Sequence, residues 1–219
     1  MTSPMWTFST SWTGYRLVRG VGWCWIMDNV PPEISSIFAE IEKALSAKLY
    51  YLAIAVSLSV PDICACLEQV QEDAKSKMGV RESYVSWCDA NLNFDNLSGI
   101  DLYYIRCGVA HSGHVYKNNS IYKRVIFTIE GAPIQAPRGA VINVEAGATI
   151  GGLDADANRF GGRMLMMNAE AFCRTIVDGA KAWAVSKSSD PIVQQNLPLL
   201  IRYRPEGLPP FMVGFPIVA

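Results

Sequence analysis

Asp101-Leu-Tyr-Tyr-Ile-Arg106-Cys-Gly-Val-Ala-His111-Ser-Gly113 is the stretch on which the fold turns. Its apolar and aromatic residues recur at helical spacing, and it closes on Gly113, a residue suited to the left-handed stop of a helix. At about 100° per residue, Arg106 and His111 lie roughly 140° apart around that helix. His111 shares its arc with Leu97, Ile100, Tyr104 and Cys107, whereas Arg106 points away from it beside Leu102 and Val109. Gly108 predicts a point where another helix approaches closely.

The last turn of a helix favours a cation, and histidine is the side chain that changes charge near neutrality, as general acid–base work needs. The same residues have a plainer reading. A histidine on an apolar helical arc usually serves the core or an interface, and Arg106 can pair with an acid such as Asp101 or Glu68.

The sextet Arg106-Cys-Gly-Val-Ala-His111, preceded by Leu-Tyr-Tyr-Ile and followed by Ser-Gly, resembles the Arg-x-x-x-x-His signature of HEPN (higher eukaryotes and prokaryotes nucleotide-binding) domains. The resemblance implies a helical bundle and, for many members, a metal-independent ribonuclease whose site is completed across a homodimer. It would put Arg106 on the scissile phosphate and His111 on proton transfer. Cys107 beside the arginine, and His114 and Lys117 just beyond the motif, are candidate substrate contacts by position, though an exposed loop histidine is the commoner explanation for His114. Active families often carry a polar residue directly after the arginine, where this chain has Cys107. A catalytically inactive HEPN-like module that binds nucleotides or proteins is therefore the alternative. In a toxin or defence setting a ribonuclease would also have an antitoxin partner, which no residue identifies.

Working outward, residues 33–58 carry apolar side chains at 34, 37, 38, 41, 45, 49 and 52, predicting one long helix. Ser59-Val-Pro61-Asp62 then predicts the start of a second, running to about Ser76. Glu82–Leu92 predicts a third, and the sextet helix, beginning near Asn96, is the fourth. After residue 122 the pattern changes. Arg124–Glu130 and Ala140–Val144 are β-branched and aromatic, which predicts a small antiparallel pair. Residues 163–187 return to helical spacing, and Asp190-Pro191 opens a further short helix to about Arg202. The expected architecture is thus a mainly α, up-and-down bundle over 33–219 with a small β-containing insertion at about 122–162. Residues 1–32 read as a poorly ordered extension. The Pro- and Gly-rich end from Arg204 is apolar and is expected to pack along the bundle.

Composition narrows the chemistry. The 219 residues are 50% hydrophobic with a net charge of −1, which excludes a disordered chain and a polyelectrolyte partner for nucleic acid. The charge is nevertheless uneven. Residues 102–140 hold Arg106, Lys117, Lys123, Arg124 and Arg138 against Glu130 alone, so RNA or a nucleotide remains compatible with the region around the sextet. The six cysteines show no C-x-x-C, and with only His111 and His114 as imidazoles no metal site and no cofactor are expected. Asp154, Asp156 and Asn158 alternate as in a calcium loop, but Arg159 and Leu165 occupy its glycine and bidentate-acid positions. The apolar run after Arg16 and Arg19 lacks a cleavage site, and Leu49–Val60 is short of the ~20 residues that span a bilayer. A cytoplasmic protein with no membrane contact is expected.

Overall fold

The computed structural model describes residues 30–70, 79–113, 122–132, 139–144, 149–150, 153–154 and 162–219. The fold is mainly α with a small β insertion, as expected. Helix α1 spans Pro32–Ser46, with proline in its first turn and Glu33 favoured by the dipole there. Ile34, Phe38, Ile41 and Leu45 form its buried stripe.

The single helix expected over 33–58 is instead two. At Lys48 the backbone enters the left-handed region, φ 59°. The Leu49 N–H then donates to the Ala44 carbonyl at 2.8 Å and the Lys48 N–H to Leu45 at 2.9 Å, the paired bonds of a Schellman stop. No glycine marks this turn, and apolar residues at 45, 49 and 52 keep helical spacing across it, so the break is silent in the sequence.

Helix α2, Tyr50–Leu67, is the hub of the bundle. Nine of its residues are buried, on more than one side, because helices pack on it from several directions. Pro61 lies inside it and does not start a new helix. A proline there removes one backbone donor and crowds the preceding turn. Tyr84, buried on the next helix, donates its Oη to the Leu58 carbonyl at 3.1 Å. Ser59, read as a cap, instead donates back to Ala55 at 3.0 Å. By length and composition α2 is the one described helix that could cross a bilayer, and half of it is buried inside the fold.

Helix α3, Val80–Asn91, leads through 92–98 to α4, Gly99–Ser112. The strands that follow are β1 (Arg124–Thr128), β2 (Ala140–Val144), β3 (Thr149–Ile150), β4 (Leu153–Asp154) and β5 (Gly162–Asn168). The expected β1–β2 pair does not form. Strand β5 lies between them, parallel to β1 with Val125 opposite Leu165, and antiparallel to β2 with Val141 opposite Leu165. Residues 163–168 were expected to be helical, since Met and Leu are good helix formers. Pairing on both edges overrides that local preference.

At Asn168 strand becomes helix. Its side chain accepts from the Ala171 N–H at 2.9 Å and caps α5, Ala169–Ser186. Phe172 on α5 stacks at 5.0 Å on Phe127 of β1 and 5.5 Å on Phe94 of the α3–α4 loop, joining sheet and helices in one core. Asp190 caps α6, Pro191–Asn196, accepting from the Ile192 and Val193 N–H groups. A 3-10 turn, Leu197–Leu199, ends this segment earlier than expected.

The final stretch holds two short antiparallel ladders, β6 (Tyr203–Arg204) with β9 (Ile217–Val218) and β7 (Gly207–Leu208) with β8 (Met212–Val213). The expectation that it packs along the bundle fails, because most of its large apolar side chains are exposed. Its base is fastened to α1 by a 3.2 Å Arg202–Glu33 ion pair, and Arg204 donates to the Ala219 and Pro198 carbonyls.

Candidate functional site

The sextet helix is set at both ends by local chemistry. The Asp101 carboxylate accepts from the Ser98 backbone N–H at 3.1 Å and from its hydroxyl at 2.6 Å, a capping box. Asp89 of α3 accepts from the Gly99 N–H at 2.6 Å. A methyl group added at Gly99 would come within 2.5 Å of the Val85 carbonyl, so this contact between α3 and α4 requires glycine. At the other end Gly113, φ 65°, makes the expected left-handed stop and donates to the Gly108 carbonyl.

Between those ends the buried face comprises Asp101, Leu102, Ile105, Gly108 and Val109. That is the arc assigned to Arg106. The arc assigned to His111 faces outward, with Ile100, Tyr104 and Cys107 half-buried and His111 exposed. The helix is therefore rotated relative to the sequence reading, with Tyr103 half-buried against the core on the α3 side. Tyr103 makes an edge-on contact of 5.7 Å with Tyr84 and lies 6.1 Å from Tyr104. Gly108 is spent inside the chain's own bundle.

Arg106 crosses to α2. Its Nη2 lies 2.7 Å from Oδ2 of Asp62, with the two side chains 24% and 18% exposed. The alignment is poor for a hydrogen bond despite the short distance, since that oxygen finds no well-directed donor. Burial raises the Asp62 carboxyl above its usual range even against the neighbouring guanidinium. Burial pulls Arg106 the other way, but Asp62 and a hydrogen bond involving Cys107 leave it raised. The hydrogen bond between Tyr103 and Cys107 likewise raises the phenol. Cys107 thus ties together its own helix neighbours.

Neither acid proposed for Arg106 from sequence is its partner. Asp101 is committed to the cap, and Glu68 accepts from Trp183 Nε1 at 2.7 Å and pairs with Lys187 at 3.1 Å. Asp62 reads in the sequence only as the early acid of a helix start, and nothing there links it to Arg106, 44 positions later. Tyr51 was missed as well; its Oη donates to the Val109 carbonyl at 3.2 Å, near the end of the sextet helix.

Arg106 and His111 are consequently not brought together; no hydrogen bond or ion pair joins them. His114 and Lys117 lie outside the described residues. Two cavities of about 290 and 250 Å³ flank Asp62. A larger one, about 410 Å³, is walled by Trp87, Trp183, Glu68 and Lys187. None of the three is lined by a residue of the sextet.

Other routes to chemistry are poorly supported. Burial pushes the Cys173 thiol up to about 11 and raises Cys64 and Cys88 too, so none is a thiolate nucleophile near neutrality. Cys64 is buried and Cys66 exposed, so of the two only Cys64 fills the core. No group of His, Cys, Asp and Glu among the described residues could hold a metal ion. No protein-family model, curated protein or solved structure matches the chain.

Proposed function

We propose that the protein is a HEPN-like helical module that engages another protein and does not cleave RNA. The Arg106–Asp62 contact of 2.7 Å carries this reading. A cation that stabilises a phosphoryl transition state must be aimed at the place where charge develops. In this chain the guanidinium is already neutralised and turned to the neighbouring helix, while the imidazole faces solvent. The pair fastens α4 to α2. The relation to HEPN domains rests on the sextet itself.

A second reading keeps one observation on its side. His111 is exposed at the end of its helix, where a second copy could reach it, so a metal-independent ribonuclease assembled across two chains is the competing function. Incubation of purified protein with single-stranded and structured RNA in EDTA separates the two. The expected result is no cleavage, with Arg106→Ala less stable than wild type and His111→Ala unchanged. Cleavage that survives EDTA, disappears in both alanine variants while they stay folded, and is largely kept by His114→Ala would establish the nuclease instead.

A further inference from the structure

The arm formed by residues 199–219 has an unusual surface. Leu199, Ile201, Tyr203, Phe211, Val213 and Phe215 are all exposed, Phe211 at 82% and Phe215 at 66%. With ordinary side-chain areas these six leave on the order of 800 Å² of largely apolar surface uncovered. The arm is not loose chain that happens to be greasy, because both of its ladders are formed, Arg204 closes it internally on the Ala219 carbonyl, and Arg202 pairs with Glu33 of α1.

We infer that this arm is a homodimer surface whose occupant is the same arm of a second copy. Taken together, the six exposed side chains present about as much surface as one partner buries in a standard stable interface, ~800 Å². From Gly207 to Ala219 the sequence Gly-Leu-Pro-Pro-Phe-Met-Val-Gly-Phe-Pro-Ile-Val-Ala carries no charge. Beyond Glu206 the arm has no charged side chain with which to choose a foreign partner, whereas an isologous contact needs none, since each copy presents the surface that the other completes. Prolines at 209, 210 and 216 limit strand addition along the open edges, so association closes at two copies and does not run on as a fibre. A lipid surface fits less well. The cations at the base, Arg202 and Arg204, are committed to Glu33 and to main-chain carbonyls and are not displayed for headgroups. The contact is separate from the sextet, whose Gly108 is buried in its own chain.

This inference takes the interaction reading one step further by naming the partner. Light scattering on the full chain at about 50 µM tests it. Wild type should show twice the 24.1 kDa chain mass and a melting temperature that rises with concentration. The double variant Phe211→Asp/Phe215→Asp should run as a monomer, its dissociation constant raised at least ~100-fold, with an unchanged far-ultraviolet spectrum and a melting temperature independent of concentration. Phe211→Leu/Phe215→Leu should remain dimeric. A monomeric wild type, a dimer that survives the aspartates, or a wild-type monomer that binds phosphatidylcholine–phosphatidylserine vesicles through these phenylalanines overturns the inference. The two proposals fail separately. A monomer that cleaves no RNA defeats the dimer alone, and an arm-linked dimer that cleaves RNA through His111 defeats the silent reading alone.

Discussion

The sextet helix and the carboxyl-terminal arm break opposite rules of burial. The helix takes charged groups inward, with Asp101 buried and Arg106 half-buried, and each is matched within a few ångströms by Ser98 or Asp62. The arm leaves phenylalanines in water with nothing in its own ladders to cover them. A desolvated charge must be compensated at once, inside the chain, because its cost is several kcal/mol. An exposed apolar side chain carries no such urgency and can wait for a partner. The charged groups of the sextet helix are thus satisfied within the chain, whereas the apolar side chains of the arm are not.

The largest expected effect contrasts two phenylalanines. Phe172→Ala empties the junction of sheet, α5 and the α3–α4 loop and should cost about 4 kcal/mol of unfolding free energy. Phe211→Ala, measured in denaturant at a concentration low enough to keep the chain monomeric, should change it by less than ~0.5 kcal/mol. Comparable losses would mean that the arm belongs to the core and would dissolve the contrast.

Next comes the ion pair. Arg106→Ala strands the Asp62 carboxylate and should destabilise by about 2 kcal/mol, while adding Asp62→Asn should recover most of the loss. The pH dependence has a definite sign. The folded-state carboxyl of Asp62 is raised above 3.8, so the folded chain holds that proton more tightly than the unfolded chain does. Its contribution is present below the unfolded value and is lost as pH rises through the raised one. Relative to Asp62→Asn, wild type should therefore lose stability over that window in urea titrations. A gain there would mean that attraction to Arg106 outweighs burial.

Smaller effects probe how locally the sextet helix is set. Asp101→Ala removes the capping box and should cost about 1 kcal/mol. Lys48→Gly should raise stability by ~0.5 kcal/mol, since glycine adopts the left-handed turn without strain but is freer when unfolded. A loss at Lys48 would indicate that its side chain does more than occupy the turn.

Features whose cause lies within one helical turn were open to the sequence. The α1 stripe, the stop at Gly113, and the Asp190-Pro191 start each depend on a few adjacent residues, and each stands where spacing and capping chemistry put it. Tertiary structure decided the rest. Lys48 turns the chain without a glycine because α1 and α2 pack as a hairpin. Pro61 stays inside α2, where it is buried and helices pack around it on more than one side. Residues 163–168 are strand because β1 and β2 claim both their edges. The same division runs through the sextet. Its spacing along one helix is legible from thirteen letters, but whether Arg106 is free or paired depends on which acid the fold carries to it. Local rules act over 3–4 residues, and the partner that neutralises this arginine comes from another helix, 44 positions away in the chain and 2.7 Å away in space.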